Sequence, residues 1–385
     1  MSIAEHIDHY LALMVEQRAS DLYLTHAAPP SLRIAERITP LSDTSLTDED
    51  IRRFTDQLLT PTQKDEFEST LELNTAISWK DSARFRINVF RQQLHEGLVL
   101  RRIQTDIPTV ESLHLSPLYA DLIMAKRGLI LVVGPTGSGK TTSLAAMVGH
   151  RNLHGDGHII TIEDPIEYVH AHQRCIITQR DVGIDTYSFA IALKNALRQR
   201  PDVVVIGEIR DREVMEHALY FAETGHLCLA TLHANNASQA IERITNFFPE
   251  ERHPQILLNL SLNLRAILSQ RLITNLKSSR SLIMEIMLNN GLIKQLIEEG
   301  KIRQIHEMIE KGGGEGMMTF DQCLIKLVAE GAISAEMAIA ESDNPANLRL
   351  QLKQTAGIVG SSAKVALRQS GGQINAPVSG KPSPF

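Results

Sequence analysis

Apolar residues recur at helical spacing in I-D-H-Y-L-A-L-M-V, Ile7 to Val15, and the pattern then changes to short strand-like runs, D-L-Y-L and S-L-R-I, on either side of Pro29-Pro30. In R-F-R-I-N-V-F, Arg84, Arg86 and Asn88 alternate with Phe85, Ile87 and Val89, the period of a strand with one buried face. Residues 1–105 therefore predict a small α+β domain.

Ile107-Pro108 and Ser116-Pro117 mark a linker over 106–125, because a residue before proline is pushed out of the helical region. Beyond it the apolar runs G-L-I-L-V-V, H-I-I-T-I, V-V-V-I and L-C-L-A-T-L are separated by helix-like segments. Strands alternating with helices predict a parallel sheet covered on both faces, in a domain over 126–343. From about Asn259 the pattern reads as largely helical, with K-G-G-G-E-G at 311–316 as a flexible break. Residues 344–385, rich in Gly, Ser, Gln and Pro, read as a disordered tail, because such a composition buries too little apolar surface to offset the entropy of ordering.

Composition adds limits. A chain of 385 residues, 43% hydrophobic and 22% charged, is that of a globular protein of two domains. Cys175, Cys228 and Cys323 are too few and too scattered for a disulfide framework or a four-cysteine zinc site, which fits a reducing compartment. The N-terminus M-S-I-A-E-H-I-D carries acids where an export signal carries lysines, and no apolar run reaches membrane-spanning length, so the chain is expected in the cytoplasm. The net charge of −6 argues against a general nucleic-acid binder. The charge is uneven: residues 344–385 hold five basic residues and no acids, which leaves −11 on the rest.

G-P-T-G-S-G-K-T, Gly134 to Thr141, satisfies G-x-x-x-x-G-K-[ST], between an apolar strand and a helix-like segment that opens at Thr141-Thr142. In this pattern the backbone of Gly134, Pro135, Thr136, Gly137, Ser138 and Gly139 wraps a β-phosphate, and the helix N-terminus adds partial positive charge. Lys140 reaches the β- and γ-phosphate oxygens, and the Thr141 hydroxyl holds Mg²⁺. ATP with Mg²⁺ is the expected ligand.

I-I-T-I-E-D-P-I-E-Y places Glu163, Asp164 and Glu167 at a strand end, on the sheet edge that carries the phosphate loop. Any of these carboxylates can orient or deprotonate a water attacking a phosphate. P-D-V-V-V-I-G-E-I-R-D, Pro201 to Asp211, runs an apolar strand into Glu208, with Gly207 where an aspartate is usual in nucleotide hydrolases. T-G-H-L-C-L-A-T-L-H-A-N-N-A puts His226 and His233 around a further strand, where a histidine can hydrogen-bond a γ-phosphate.

Taken in order, G-P-T-G-S-G-K-T-T-S-L-A-A-M, I-T-I-E-D-P-I-E-Y-V-H, V-V-V-I-G-E-I-R-D and A-T-L-H-A-N-N-A-S-Q-A-I-E-R-I resemble the Walker A, Asp-box, Walker B and His-box of the type IV pilus and type II secretion ATPases. The resemblance runs from about Ala19 to Leu350 and is strongest to the retraction group, the PilT/PilU type, on its PilU-like side. Assembly ATPases of this superfamily carry a tetracysteine motif that is lacking here. The retraction group's A-I-R-x-L-I-R-E-G-K helix stands here as L-I-K-Q-L-I-E-E-G-K, Leu292 to Lys301.

The resemblance implies a hexameric ring of subunits, each an α/β chain with an N-terminal PAS-like α+β domain and a RecA-like P-loop ATPase core. It implies Glu167 as general base, Glu208 as the Walker B acid beside Mg²⁺, and His233 as a sensor, with His226 as a lesser candidate. Arg84, Arg86, Arg101 and Arg102 match the N-terminal-domain arginines that approach the nucleotide. Implied partners are copies of the same chain, a PilT-like retraction ATPase and the inner-membrane pilus platform protein. The implied place is the cytoplasmic face of the inner membrane, and the implied role is a motor or auxiliary motor for retraction and twitching motility. The alternatives are an accessory subunit whose own hydrolysis is dispensable and, further off, a secretion or assembly ATPase.

Overall fold

The computed structural model describes residues 3–35, 37–80, 83–312 and 316–354. Its strands are β1 (Asp21–Thr25), β2 (Ser31–Ile34), β3 (Arg37–Pro40), β4 (Glu72–Trp79), β5 (Ala83–Gln92), β6 (His95–Ile103), β7 (Gly128–Val133), β8 (Gly157–Glu163), β9 (Cys175–Asp181), β10 (Val203–Ile206), β11 (Leu227–Leu232), β12 (Leu264–Thr274) and β13 (Arg280–Leu288). They form two sheets.

The first sheet runs β3-β2-β1-β6-β5-β4, with every pairing antiparallel. The predicted alternation in β5 is real: Ala83, Phe85, Ile87 and Val89 are buried. They pack with Tyr10, Leu11 and Met14 of helix Ile7–Glu16, Ile51 and Phe54 of helix Asp48–Leu58, and Phe67 of helix Pro61–Thr70. Thr47 and Thr60 begin the latter two helices with reciprocal capping boxes to Asp50 and Gln63. The opposite face of β5 carries Arg84 and Arg86.

The second sheet runs β13-β12-β7-β11-β10-β8-β9, parallel except for the β12–β13 edge pair. Strand β7 is buried along its whole length, which is why it reads as an unbroken apolar run. Leu129, Leu131 and Val133 pack with helices Phe189–Ala196, Arg212–Glu223 and Ala237–Asn246, while Ile130 and Val132 pack with helices Lys140–His154 and Phe320–Ala329. Among the described residues no helix is long and apolar enough to cross a membrane.

Three expectations change. The region after Asn259 contains β12 and β13 as well as helices, because Ser269, Gln270 and Glu285 are buried polar residues that interrupt the apolar runs and disguise the strand period. They are held inside by other segments: Ser269 Oγ donates to Glu285 at 3.0 Å, and Gln270 Nε2 donates to Ser143 at 2.7 Å, while Gln270 Oε1 has no hydrogen-bond partner. The 106–125 stretch, expected as a linker, contains helix Leu118–Ile123 and buries Val110, Leu115, Tyr119 and Ile123 in the core of the second sheet. Of the expected tail, residues 345–354 are helical with Leu348 fully buried, and residues 355–385 lie outside the described residues, as do 313–315 of the glycine-rich break.

Phe85 stands between Arg84 and Arg86 and is completely buried. Its replacement by alanine is expected to cost about 3–5 kcal/mol, read as a lowered urea midpoint; an unchanged midpoint would show that this face of β5 is not the core.

Candidate active site

The parallel strands leave the sheet at one level. Val133 pairs with Leu232, and Ile206 pairs with both Ala230 and Ile162. The phosphate loop after β7, the acids after β8 and β10, and the histidine after β11 therefore meet at one edge. They line a cleft of about 220 Å³, which includes Thr136, Gly137, Lys140, Thr141, Glu163, Asp164, Glu167, Glu208 and His233.

The loop is shaped by backbone that favours glycine. Gly139 has φ +86° and begins helix Lys140–His154, whose first N–H groups have no side-chain cap. A Cβ on Gly134 would overlap the Gln270 carbonyl and the Ser138 hydroxyl. Lys140 is buried, donates from Nζ to the carbonyls of Gly134 and Pro135 at 2.9 Å each, and has its pKa lowered by burial against the opposing pull of Glu208 and Glu167. An uncapped 15-residue helix start, a buried ammonium and the Thr141 side chain fit a bound phosphate chain and its cation.

Across the cleft, one arginine ties two of the predicted acids. Arg210 donates from Nε to Glu208 Oε2 at 2.8 Å and from Nη1 to Asp164 Oδ2 at 2.9 Å, and His233 Nε2 lies 3.1 Å from Glu208 Oε1. Gly207 allows this approach: a Cβ there would stand 3.1 Å from Glu163 Cα and 3.2 Å from the Ile162 carbonyl. Its own N–H donates to that carbonyl at 2.7 Å, and its carbonyl accepts from the Thr231 hydroxyl. Glu163 is held differently. Burial pushes its pKa up to about 7, although Thr161 Oγ1 at 2.6 Å and Gln179 Nε2 at 3.3 Å donate to it.

Glu167 is exposed at the cleft wall on a segment held from both sides. Its carbonyl accepts from the Gln104 N–H at 3.2 Å, and Gln104 accepts in turn from Val169 at 2.9 Å. Tyr168 donates to Thr142 Oγ1 at 3.2 Å, and Asp181 Oδ2 accepts from the Ile166 N–H at 3.3 Å. Asp181 is buried with Oδ1 unpartnered, and burial raises its pKa while the positive charges of Arg86 and Arg84 oppose the rise.

The four candidate arginines separate. Arg84 and Arg86 share the face away from the core and act on Asp181; neither lines the cleft. Arg101 pairs in register with Arg86 but bonds Asp21 at 2.8 Å, while Arg102 stands opposite Phe85 on the other face. His226 sits before β11, at the far end of the strand from His233, bonded to the Thr224 hydroxyl at 3.0 Å. Sequence reasoning assigned nothing to Arg210, Tyr168, His170 or Asp181. The first three lay inside quoted motifs, but only the fold brings Arg210 between two acids. His170 is buried at the cleft wall, and burial lowers its pKa to about 4.

A family model described as Type II/IV secretion system protein matches residues 2–319. The chain is 50% identical to the type IV pilus ATPase PilU of Pseudomonas aeruginosa over 89% of its own length and 90% of that protein. It is 39% identical to the type IV pilus retraction ATPase PilT of the same organism over 89% of its length and 99% of that protein. A crystal structure of the pilus retraction motor PilT with bound ADP superimposes with a TM-score of 0.83 at 40% identity, covering 89% of this chain and 99% of that one. The architecture is thus the expected α/β one, a RecA-like ATPase core beside an N-terminal PAS-like α+β unit. The chain belongs to the type II/IV secretion system protein family, among its type IV pilus retraction ATPases.

Proposed function

We propose that this chain is one subunit of a homohexameric ring that hydrolyses ATP in the cleft and uses the work to retract type IV pili, so driving twitching motility. The observation that carries the reading is the meeting of Lys140, Glu208, His233 and Glu167 around one phosphate loop. The ADP bound to the PilT homologue supports a nucleotide at this place. Gly134 to Thr142 wrap the phosphates, and Lys140 exchanges its loop carbonyls for phosphate oxygens. Thr141 and Glu208 would hold Mg²⁺, which when bound supplies positive charge against the phosphate oxygens.

Glu167 fits the base best. A base must take a proton from water, and Glu163 is poorly suited because burial keeps its carboxyl protonated up to about pH 7. Glu167 is exposed to the cleft and free to accept. His233, held by Glu208, reports the γ-phosphate. Arg84, Arg86 and Arg101 lie on a face that a rotation of the first sheet, or a neighbouring subunit, can bring to the phosphates. The ring works in the cytoplasm at the inner face of the membrane, on the pilus platform protein and beside a PilT-like ATPase.

A second reading, an accessory subunit that supports a PilT-like ring by contact, is favoured by one observation. In helix Gly291–Glu298 the buried Ile293, Leu296 and Ile297 keep the retraction-group pattern, whereas the departures Leu292 and Glu298 are exposed and Lys294 is partly so. The surface has changed while the fold has not.

Four measurements follow. Lys140→Ala removes a charged donor worth about 1.5–3 kcal/mol, so ATP affinity should fall about ten- to hundredfold in a binding titration. Glu167→Gln should still bind ATP while kcat drops about 10²–10⁴-fold; unchanged turnover would remove Glu167 as the base. Retraction restored by both variants beside an active partner ATPase would select the accessory reading. For Glu163, a folded pKa near 7 against its ordinary value of 4.5 means that the native state binds the extra proton. Stability then falls as pH rises through that window. Glu163→Gln should flatten this fall in denaturant titrations at several pH values, and an unaltered slope would contradict the buried, protonated acid.

A further inference from the structure

Glu285, on β13, is buried and does not line the cleft. Its Oε1 accepts from the Ala237 N–H at 2.8 Å and from the Ser269 hydroxyl at 3.0 Å, and its Oε2 lies 3.7 Å from His306 Nδ1. The last distance is too long for a hydrogen bond but short enough for a charge pair. The Glu285 contact raises the His306 pKa, burial opposes that rise, and Glu310 and Asp343 add to it; Asp343 is itself bonded by Arg271 at 2.8 Å.

What Glu285 holds is the far end of the loop that carries His233. Residues His233 to Asn236 run from β11, which ends at Leu232, to helix Ala237–Asn246. At the first end the parallel register fixes the chain, with Leu232 opposite Val133. At the second, the Asn236 side chain caps the helix by accepting from the Gln239 N–H at 2.9 Å, which leaves the Ala237 N–H to another acceptor. Ala237 is fully buried, so that acceptor has to come from the protein. Glu285 supplies it, and a carboxylate suits a helix N-terminus. Ser238, the next residue, donates to the Ile302 carbonyl at 3.2 Å, so this end of the loop is also bound to the segment leading into helix Ile305–Lys311, which carries His306. A short loop tied at both ends has little freedom of its own. The place of the Ala237 N–H therefore bears on how the His233 ring meets Glu208, whose Oε1 is 3.1 Å from Nε2.

We propose that Glu285 is a positioning residue for ATP turnover: by holding the Ala237 N–H from the β12–β13 pair it sets where His233 stands against Glu208, an inference that rests on His233 acting as the γ-phosphate sensor.

The test measures steady-state ATP turnover and, separately, ADP binding by the full chain. Glu285→Asp, which withdraws the carboxylate by one methylene from Ala237, should lower kcat about ten- to hundredfold and leave ADP affinity unchanged, because the phosphate loop is untouched. Glu285→Gln, which keeps an oxygen within reach of the Ala237 N–H, should recover most of the loss. His233→Asn should lower kcat by itself, and adding Glu285→Asp to it should cost less than about twofold more, because both act through one imidazole. Losses that multiply in the double variant, an ADP affinity that falls along with kcat, or a Glu285→Gln variant as impaired as Glu285→Asp would each overturn the positioning role and leave Glu285 a structural residue only. Full turnover in His233→Asn alone removes the sensor and this inference with it, so the two failures are told apart. Should circular dichroism show that Glu285→Asp does not fold, Ser269→Ala, which frees Glu285 Oε1 from its second donor, carries the same cycle: a loss of kcat that vanishes in His233→Asn supports the positioning role, and no loss, or one that multiplies, overturns it.

Discussion

Because β7, β11, β10 and β8 run parallel with Val133 opposite Leu232 and Ile206 opposite both Ala230 and Ile162, the chain leaves the sheet four times at one height. Nothing local to the acids or the histidine would bring them to the phosphate loop. The register does, and it is protected by burial on both faces: a slip of one residue in β10 would turn Val204 and Ile206 away from one apolar layer and Val203 and Val205 away from the other. The cost of such a slip is what makes a cleft assembled from four separate segments reproducible.

Inside that frame, charge has to be balanced in a partly dry place. Glu208 and Asp164 face each other across the strand ends, and alone they would repel. Arg210 bonds both, so the pair is retained as a planar bridge in which each acid keeps a matched partner. Arg210 is half exposed, so the bridge adds little to stability and acts mainly by fixing where the two acids stand. The missing Cβ of Gly207 serves the same end, since it lets the end of β10 close onto Glu163 and the Ile162 carbonyl. Asp211, from the same stretch, caps helix Arg212–Glu223 by accepting from the Val214 N–H at 2.9 Å. Five consecutive residues, Gly207 to Asp211, thus set approach, charge, burial, bridge and helix start.

How much of this was readable before the fold depended on whether the signal was periodic. Strands β5, β7, β8, β10 and β11 announced themselves by alternation or by unbroken apolar runs, and the glycine spacing marked the phosphate loop. Strands β12 and β13 did not, because Ser269, Gln270 and Glu285 are polar and buried, and a pattern of hydrophobicity cannot represent a polar residue whose partners are supplied by other segments. The same limit hid Arg210 and Asp181. Nor could spacing separate Arg84 and Arg86 from Arg101 and Arg102; the pairing of β5 with β6 did that, by setting Arg102 opposite Phe85 and leaving Arg101 to Asp21.

The join between the two sheets shows how a change in one can reach the other. Gln104, just past β6, exchanges backbone hydrogen bonds with Glu167 and Val169, so the segment carrying Glu167 is a bridge between the first sheet and the cleft. On its other side the same segment is held by Asp181 through the Ile166 N–H and by Tyr168 through Thr142, next to the phosphate loop. Asp181 in turn feels Arg86 and Arg84. A rotation of the first sheet would therefore act on Glu167 twice, through the Gln104 backbone and through the arginine field on Asp181, whereas Lys140 and Thr141 belong to the helix behind the loop. The carboxylate proposed as the base is thus the one whose position depends on how the two sheets are set, which is the arrangement a machine needs if hydrolysis and movement are to wait for each other.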